Sequence, residues 1–247
     1  IASPNAAVAV NDFVFWMGSK EFYVYGGTVA RLPCTVLDYV FSDFNRDQIG
    51  KVFAGHNSSY GEVWWFYPSK NSTANDRYVI YNYQEKIWYF GTLARTAWVD
   101  RGINQYPIAA STDNKLYYQE FGQDDGSTNP PSAISANVES SQMDIGDGDK
   151  FTLVRRVLPD ITFRDSTNET PRVNMVVKTR NFPGVTFNET SSNQVAQSVS
   201  TPVELFTEQL HVRLRGRSFA FRVESDVTGV MWRLGTPRLD VRPDGRR

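Results

Sequence analysis

The chain has one cysteine, Cys34, and two histidines, His56 and His211. A single cysteine excludes an intrachain disulfide and leaves no cysteine-based metal site. The histidines are far apart, and neither stands in a zinc-binding spacing or beside a nucleophile elbow. There is no Gly-rich phosphate loop and no repeated Ser-x-Asp-x-Gly-x-x-Trp box. Long apolar runs are also missing, and nothing approaches the roughly 18 residues that span a bilayer. Residues Ile1 to Val10 are weakly apolar but lack the basic start of a signal peptide. A net charge of −1 argues against a generic nucleic-acid binder. Acids are plentiful, 27 in all, but no local pattern selects a pair for glycoside cleavage. The expectation is a chain without catalytic residues, without a cofactor and without a bound metal.

Aromatic residues, by contrast, are abundant. They make up 14% of the 247 residues within a hydrophobic share of 40%, which excludes a disordered chain. That length accommodates one large or two ordinary domains. The densest region runs from Glu62 to Trp98 and contains Trp64-Trp65-Phe66-Tyr67. Its β-branched and aromatic residues suit a pleated surface. Strands are predicted at Phe13 to Met17, Phe22 to Tyr25, Lys51 to Ala54, Glu62 to Tyr67, Arg77 to Tyr83 and Ile87 to Phe90. Two more follow at Pro107 to Ala110 and Lys115 to Glu120. Val36, Leu37, Val40, Phe41 and Phe44 recur at helical spacing behind Pro33, which predicts one short helix near residues 35–44.

Aromatic strands and turns recurring at short intervals resemble the blades of a β-propeller, at about 40–45 residues each. Residues 1–122 supply only two to three blades at that length, so either the rest of the propeller lies upstream in a longer chain, which is the expectation, or the architecture is not a propeller. Gly122 to Ser132, rich in Gly, Asp and Pro, marks a boundary with a linker at 123–132. Beyond it, tryptophan is absent until Trp232, while Val and Arg become frequent. Residues 133–247 are predicted to form a second, sandwich-like β domain. Its strands are expected at Ala133 to Glu139, Phe151 to Phe163, Arg172 to Thr179, Leu210 to Gly216, Ser218 to Val223, Gly229 to Leu234 and Arg238 to Arg242. The Ser/Asn/Thr-rich stretch from Phe182 to Thr201 reads as a long exposed loop. The fold class is therefore all-β, with partial propeller-like blades followed by a sandwich-like domain and one short helix.

Three segments carry a resemblance. Gly61-Glu-Val-Trp-Trp-Phe-Tyr-Pro-Ser, Asp76-Arg-Tyr-Val-Ile-Tyr-Asn-Tyr and Gly91-Thr-Leu-Ala-Arg-Thr-Ala-Trp are similar to the tail nozzle, or tail tubular, packaged-DNA stabilisation proteins of short-tailed bacteriophages. The ending Val241-Arg-Pro-Asp-Gly-Arg-Arg resembles the end of many such proteins. The resemblance implies a structural virion protein of the tail, made in the bacterial host cytoplasm. It implies a ring of identical subunits, commonly hexameric, below the portal and adaptor. Such a ring closes the channel after packaging and conducts DNA during ejection. The implied partners are other tail proteins (adaptor, fibre or spike) and transient contacts with phage DNA. The aromatic, all-β composition also fits an alternative, a receptor- or carbohydrate-binding tail module.

Site candidates come mainly from the C-terminal arginines. From Arg213 onward there are nine Arg, no Lys and four acids. They alternate with apolar residues, so period-two geometry predicts that Arg213, Arg215, Arg222, Arg233, Arg238 and Arg242 share one outer sheet face. Three readings stay open. The face is solvated and paired with Glu224, Asp226 and Asp240; or it meets a neighbouring subunit through bidentate contacts; or it touches passing DNA. Asp144 to Asp149 fails the EF-hand spacing and reads as a polar turn or a cation site, as does Asp124-Asp125-Gly126. Four sequons begin at Asn57, Asn71, Asn168 and Asn188, and they carry no glycan in bacterial cytoplasm. Trp64 and Trp65 are adjacent, so at most one faces solvent unless both sheet faces are covered. They read as core, interface or a sugar platform.

Overall fold

The computed structural model describes residues 1–144, 148–182 and 196–245. Strand accounts for 48% of the chain and helix for 5%, so the all-β expectation holds. The chain divides into two compact units, Ile1–Phe121 and Gly122–Arg247.

The first unit is a succession of antiparallel meanders. Strands β1 (Ala7–Val10), β2 (Phe13–Met17), β3 (Phe22–Tyr25) and β4 (Val29–Leu32) pair in sequence order. Strands β5 (Phe53–Asn57), β6 (Glu62–Tyr67), β7 (Arg77–Asn82) and β8 (Ile87–Thr92) do the same. A three-stranded sheet follows, with β10 (Ile108–Ala110) between β9 (Ala97–Val99) and β11 (Leu116–Tyr118). The predicted helix is α1 (Leu37–Ser42), which buries Val40. A 3-10 helix over Arg46–Lys51, absent from the sequence reading, comes next, with the Asn45 side chain accepting from the Asp47 N–H at 3.1 Å. Strands β1, β4 and β9, each three or four residues long, also went unpredicted.

Strand β6 explains how these sheets stack. Alternation sends Val63, Trp65 and Tyr67 to one face and Trp64 and Phe66 to the other, and every residue of the strand is buried. Val63, Trp65 and Tyr67 join a core with Phe15, Met17 and Phe22 of the first meander and Val40 of α1. Trp64 and Phe66 join a separate core with Phe53, Ile80 and Trp98. Both tryptophans are therefore core, because the sheet is covered on both sides. Trp65 stacks on Trp88 at 5.9 Å and 20°, and Trp64 stacks on Trp98 at 5.1 Å and 22°. Gly55 makes the second contact possible, since a Cβ there would lie 2.7 Å from the Trp98 ring. Among the described residues the meanders do not close into a ring.

The second unit opens with a small hairpin of β12 (Asp124–Asp125) and β13 (Ser132–Ala133), where a plain linker was expected. Its larger sheet runs β14 (Ala136–Glu139), β21 (Ser218–Ser225), β18 (Arg172–Arg180), β19 (Ala196–Glu204), with β15 (Met143–Asp144) also pairing β21. Its smaller sheet places β16 (Thr152–Leu158) between β20 (Leu210–Gly216) and β23 (Arg238–Pro243). A two-stranded ladder joins β17 (Ile161–Thr162) and β22 (Arg233–Leu234). Val173, Met175, Val177, Phe219 and Val223 of the larger sheet share one core with Val154, Val157, Leu210, Val212 and Leu214 of the smaller, which is the sandwich expected.

Two expectations need correction here. Residues 196–201 form part of β19, paired along the whole of β18, and are not loop. Residues 183–195 of the expected loop, with the sequon at Asn188, lie outside the described residues, as do 145–147 of the Asp144–Asp149 segment. The strand expected at Gly229–Leu234 is reduced to Arg233–Leu234.

Candidate functional site

The structure divides the six predicted arginines among three sheets. Arg213 and Arg215 lie on β20, and Arg238 and Arg242 on β23, both flanking β16. Arg222 lies on β21 in the larger sheet, and Arg233 on β22 opposite Thr162. The single shared face is thus corrected to a face of four. The physical cause is the corner between β20 and β21. Within one residue, Arg217, the chain crosses from the smaller sheet to the larger, so alternation continues on a different surface. Gly216 permits this, because a Cβ there would meet the Thr179 Cβ at 2.7 Å and the Arg180 carbonyl oxygen at 3.1 Å.

Two arginines that sequence reasoning passed over complete the face. On β16 the register shifts between Val154 and Arg156. Opposite the single residue Arg155, β20 contributes both Val212 and Arg213, and β23 contributes none. Irregular pairing of this kind bends a strand and breaks its alternation. Arg155 and Arg156 are consecutive, yet both are exposed. The outer surface carries Arg215, Leu153 and Arg242 in one row and His211, Arg156 and Asp240 in the next.

Counter-charges on this face are few. Arg156 pairs with Asp240 at 3.2 Å, and Arg215 pairs with Asp244. The Arg215 guanidinium also lies 3.9 Å from the centre of the Phe151 ring. Among the described residues Arg155, Arg213, Arg238 and Arg242 have no ion-pair partner. Arg222 is different, since it bonds Glu224 at 2.7 Å and Glu139 at 3.3 Å, and Lys178 also holds Glu139 at 2.7 Å. Burial raises the Glu139 carboxyl, but the bonds from Lys178 and Arg222 outweigh it and leave the group below its usual range. Among the described residues the pairing expected of a solvated face is thus seen for Arg222, and on the smaller sheet for Arg156 with Asp240 and Arg215 with Asp244.

A second site, in the first unit, had no sequence signal. Glu62 at the start of β6 and Glu120 just after β11 line a pocket of about 360 Å³ with the rings of Tyr60, Trp64, Tyr78 and Tyr89. Glu62 accepts from the Trp64 indole N–H at 2.8 Å and from the Tyr89 hydroxyl. The Asn57 amide reaches both carboxylates, at 3.5 Å to Glu62 and 3.3 Å to Glu120. Glu120 takes a φ of 58°, a left-handed conformation unusual for a non-glycine residue. Desolvation first, and the Glu62 charge second, push its carboxyl above the ordinary value.

The remaining reactive groups are quiet. Burial raises the Cys34 thiol to about 11, which leaves almost no thiolate at neutral pH. His56 bonds Asp100 at 3.4 Å and the Tyr83 hydroxyl at 3.2 Å, while His211 sits on the arginine face. Asp125 accepts from the Ser127 N–H at 2.9 Å, as in a polar turn, while Asp124 accepts from the distant Gly229 N–H at 2.8 Å. Among the described residues no group of three or more His, Cys, Asp or Glu could hold a metal ion. No described helix is long and apolar enough to cross a membrane.

No protein-family model matches this chain, and no curated protein matches it.

Proposed function

We propose that this chain is a structural subunit of the tail nozzle of a short-tailed bacteriophage. It works in a homo-oligomeric ring that closes the channel after DNA packaging and conducts DNA during ejection. The observation that carries the reading is the arginine face of the smaller sheet, taken with the sequence resemblance. A closed ring needs heterologous contacts, in which one surface meets a different surface on the next subunit. Four exposed arginines with no ion-pair partner among the described residues are suited to such a contact, because their planar forks form bidentate bonds that lysine cannot. The three successive meanders supply blade-like walls, and in this reading they are part of a propeller. No reaction is required, and shape and interface area do the work.

Replacing Arg213 and Arg242 together with alanine tests the reading. Neither has an intrachain partner among the described residues, so the fold should survive, as circular dichroism would show. Breaking a buried charge pair costs about 3–5 kcal/mol, while an exposed pair contributes about 0–1 kcal/mol. The folded variant should lose ring assembly in sedimentation. Assembly equal to the parent at both ordinary and high salt would show a merely solvated face.

A second reading, a receptor- or carbohydrate-binding tail module, draws on the aromatic lining around Glu62 and Glu120. It requires that a neutral sugar bind there.

A further inference from the structure

Among the described residues no cationic side chain balances the pocket of Glu62 and Glu120. Its lining contains two carboxylates, four aromatic rings and Ile80, with no Lys, Arg or His. Among the described residues neither carboxylate has an ion-pair partner. The two are not equivalent. Glu62 is well supplied, with Trp64 and Asn57 on one oxygen and Tyr89 on the other. Glu120 receives only the Asn57 amide on one oxygen, and its other oxygen has no donor among the described residues. The side-chain amide oxygen of Asn57, whose NH2 reaches both carboxylates, is buried and has no partner among the described residues.

Two like charges in a partly desolvated site repel, and the desolvation cost is offset by hydrogen bonds at Glu62 far more than at Glu120, where an opposite charge would offset the rest. The aromatic lining is compatible with an organic cation, because ring faces attract cations. A bare divalent metal is poorly served, because calcium takes six to eight oxygens and rings supply none. A neutral sugar could stack on the rings but would leave both charges unmatched.

We infer that this pocket binds an organic cation, an alkylammonium or guanidinium group, with the rings around it and Glu120 as its counter-ion. Two sources share that chemistry. One is a free quaternary ammonium compound, and the other is an arginine side chain of a second copy, whose exposed Arg155, Arg213, Arg238 and Arg242 have no ion-pair partner among the described residues.

The test uses the full chain and follows the Trp64 indole N–H by NMR, assigned with Trp64→Phe. Tetramethylammonium chloride and Nα-acetylarginine methylamide are the probes. Sodium chloride at equal ionic strength and glucose are the controls. The expected result is a saturable shift from at least one cation and none from either control. Glu120→Gln, which keeps the shape and removes the charge, should weaken binding about tenfold or more. Binding should also strengthen as pH rises through the raised titration of Glu120, and Glu120→Gln should abolish that dependence. A response confined to tetramethylammonium assigns the pocket to a small ligand. A response to the arginine derivative that also competes with self-association assigns it to a second copy. No shift beyond the salt control, unchanged affinity in Glu120→Gln, or a response to glucose alone would overturn the inference.

Discussion

At His56 burial and charge act in opposite directions. Desolvation lowers the imidazole pKa, Asp100 raises it, and desolvation prevails, so the folded protein favours the neutral ring. A depressed folded pKa means that the unfolded chain binds the proton first as pH falls. The stability His56 contributes is complete above about 6.5, the unfolded value, and is lost as pH falls through the lower folded value. The difference in urea midpoint between the parent and His56→Gln should therefore shrink as pH drops below about 6.5 and stay constant above it. A difference that is flat across that window, or that grows on acidification, would contradict the assignment. His56 was visible in the sequence only as one of two histidines. Its partners come from elsewhere in the chain, Tyr83 from the turn after β7 and Asp100 from just past β9, and no spacing rule joins them.

Strands carried most of what the sequence could show, and period two is the reason. The limits of β6 and β20 match the predicted ones, because the aromatic run of β6 stops at Pro68 and the apolar alternation of β20 stops at Gly216. The same rule placed Leu210, Val212 and Leu214 in the core. It failed where period two is broken or where composition misleads. Arg155 and Arg156 stand side by side at an irregularity that no alternation rule can anticipate. Strand β19, with its Gln, Ser, Thr and Pro, has the composition of a loop, yet it is held by continuous pairing with β18. The pocket was invisible because Asn57, Glu62, Tyr89 and Glu120 are brought together only when separate strands pair. Strand β6 gives a quantitative expectation. Trp65 is fully buried, and its indole N–H donates to the Ala6 carbonyl at 3.0 Å. Trp65→Ala should cost about 3–5 kcal/mol in urea unfolding. Trp65→Phe keeps most of the apolar bulk and should cost clearly less. Equal losses would mean that the hydrogen bond, and not the packing, dominates.

For the whole molecule, the main fact is the separation of its cores. One core belongs wholly to residues 122–245, where two sheets close on each other through Val173, Met175, Phe219, Val154 and Leu214. A core with both layers supplied by the same unit does not need the rest of the chain. Residues 122–247 produced alone should therefore give a single cooperative thermal transition with a sheet-type far-ultraviolet spectrum. A fragment that is soluble but melts without cooperativity would show that the sandwich depends on the first unit.

The two stacked indole pairs on opposite sides of β6 have an optical consequence. Indoles held this close and nearly parallel couple their electronic transitions and give paired circular-dichroism bands of opposite sign. Trp65 with Trp88 senses the side shared with the first meander, and Trp64 with Trp98 the side shared with the third sheet. Trp88→Phe would silence one coupled signal and Trp98→Phe the other. The loosening of each neighbour of β6 could then be timed separately, with no dye or label attached.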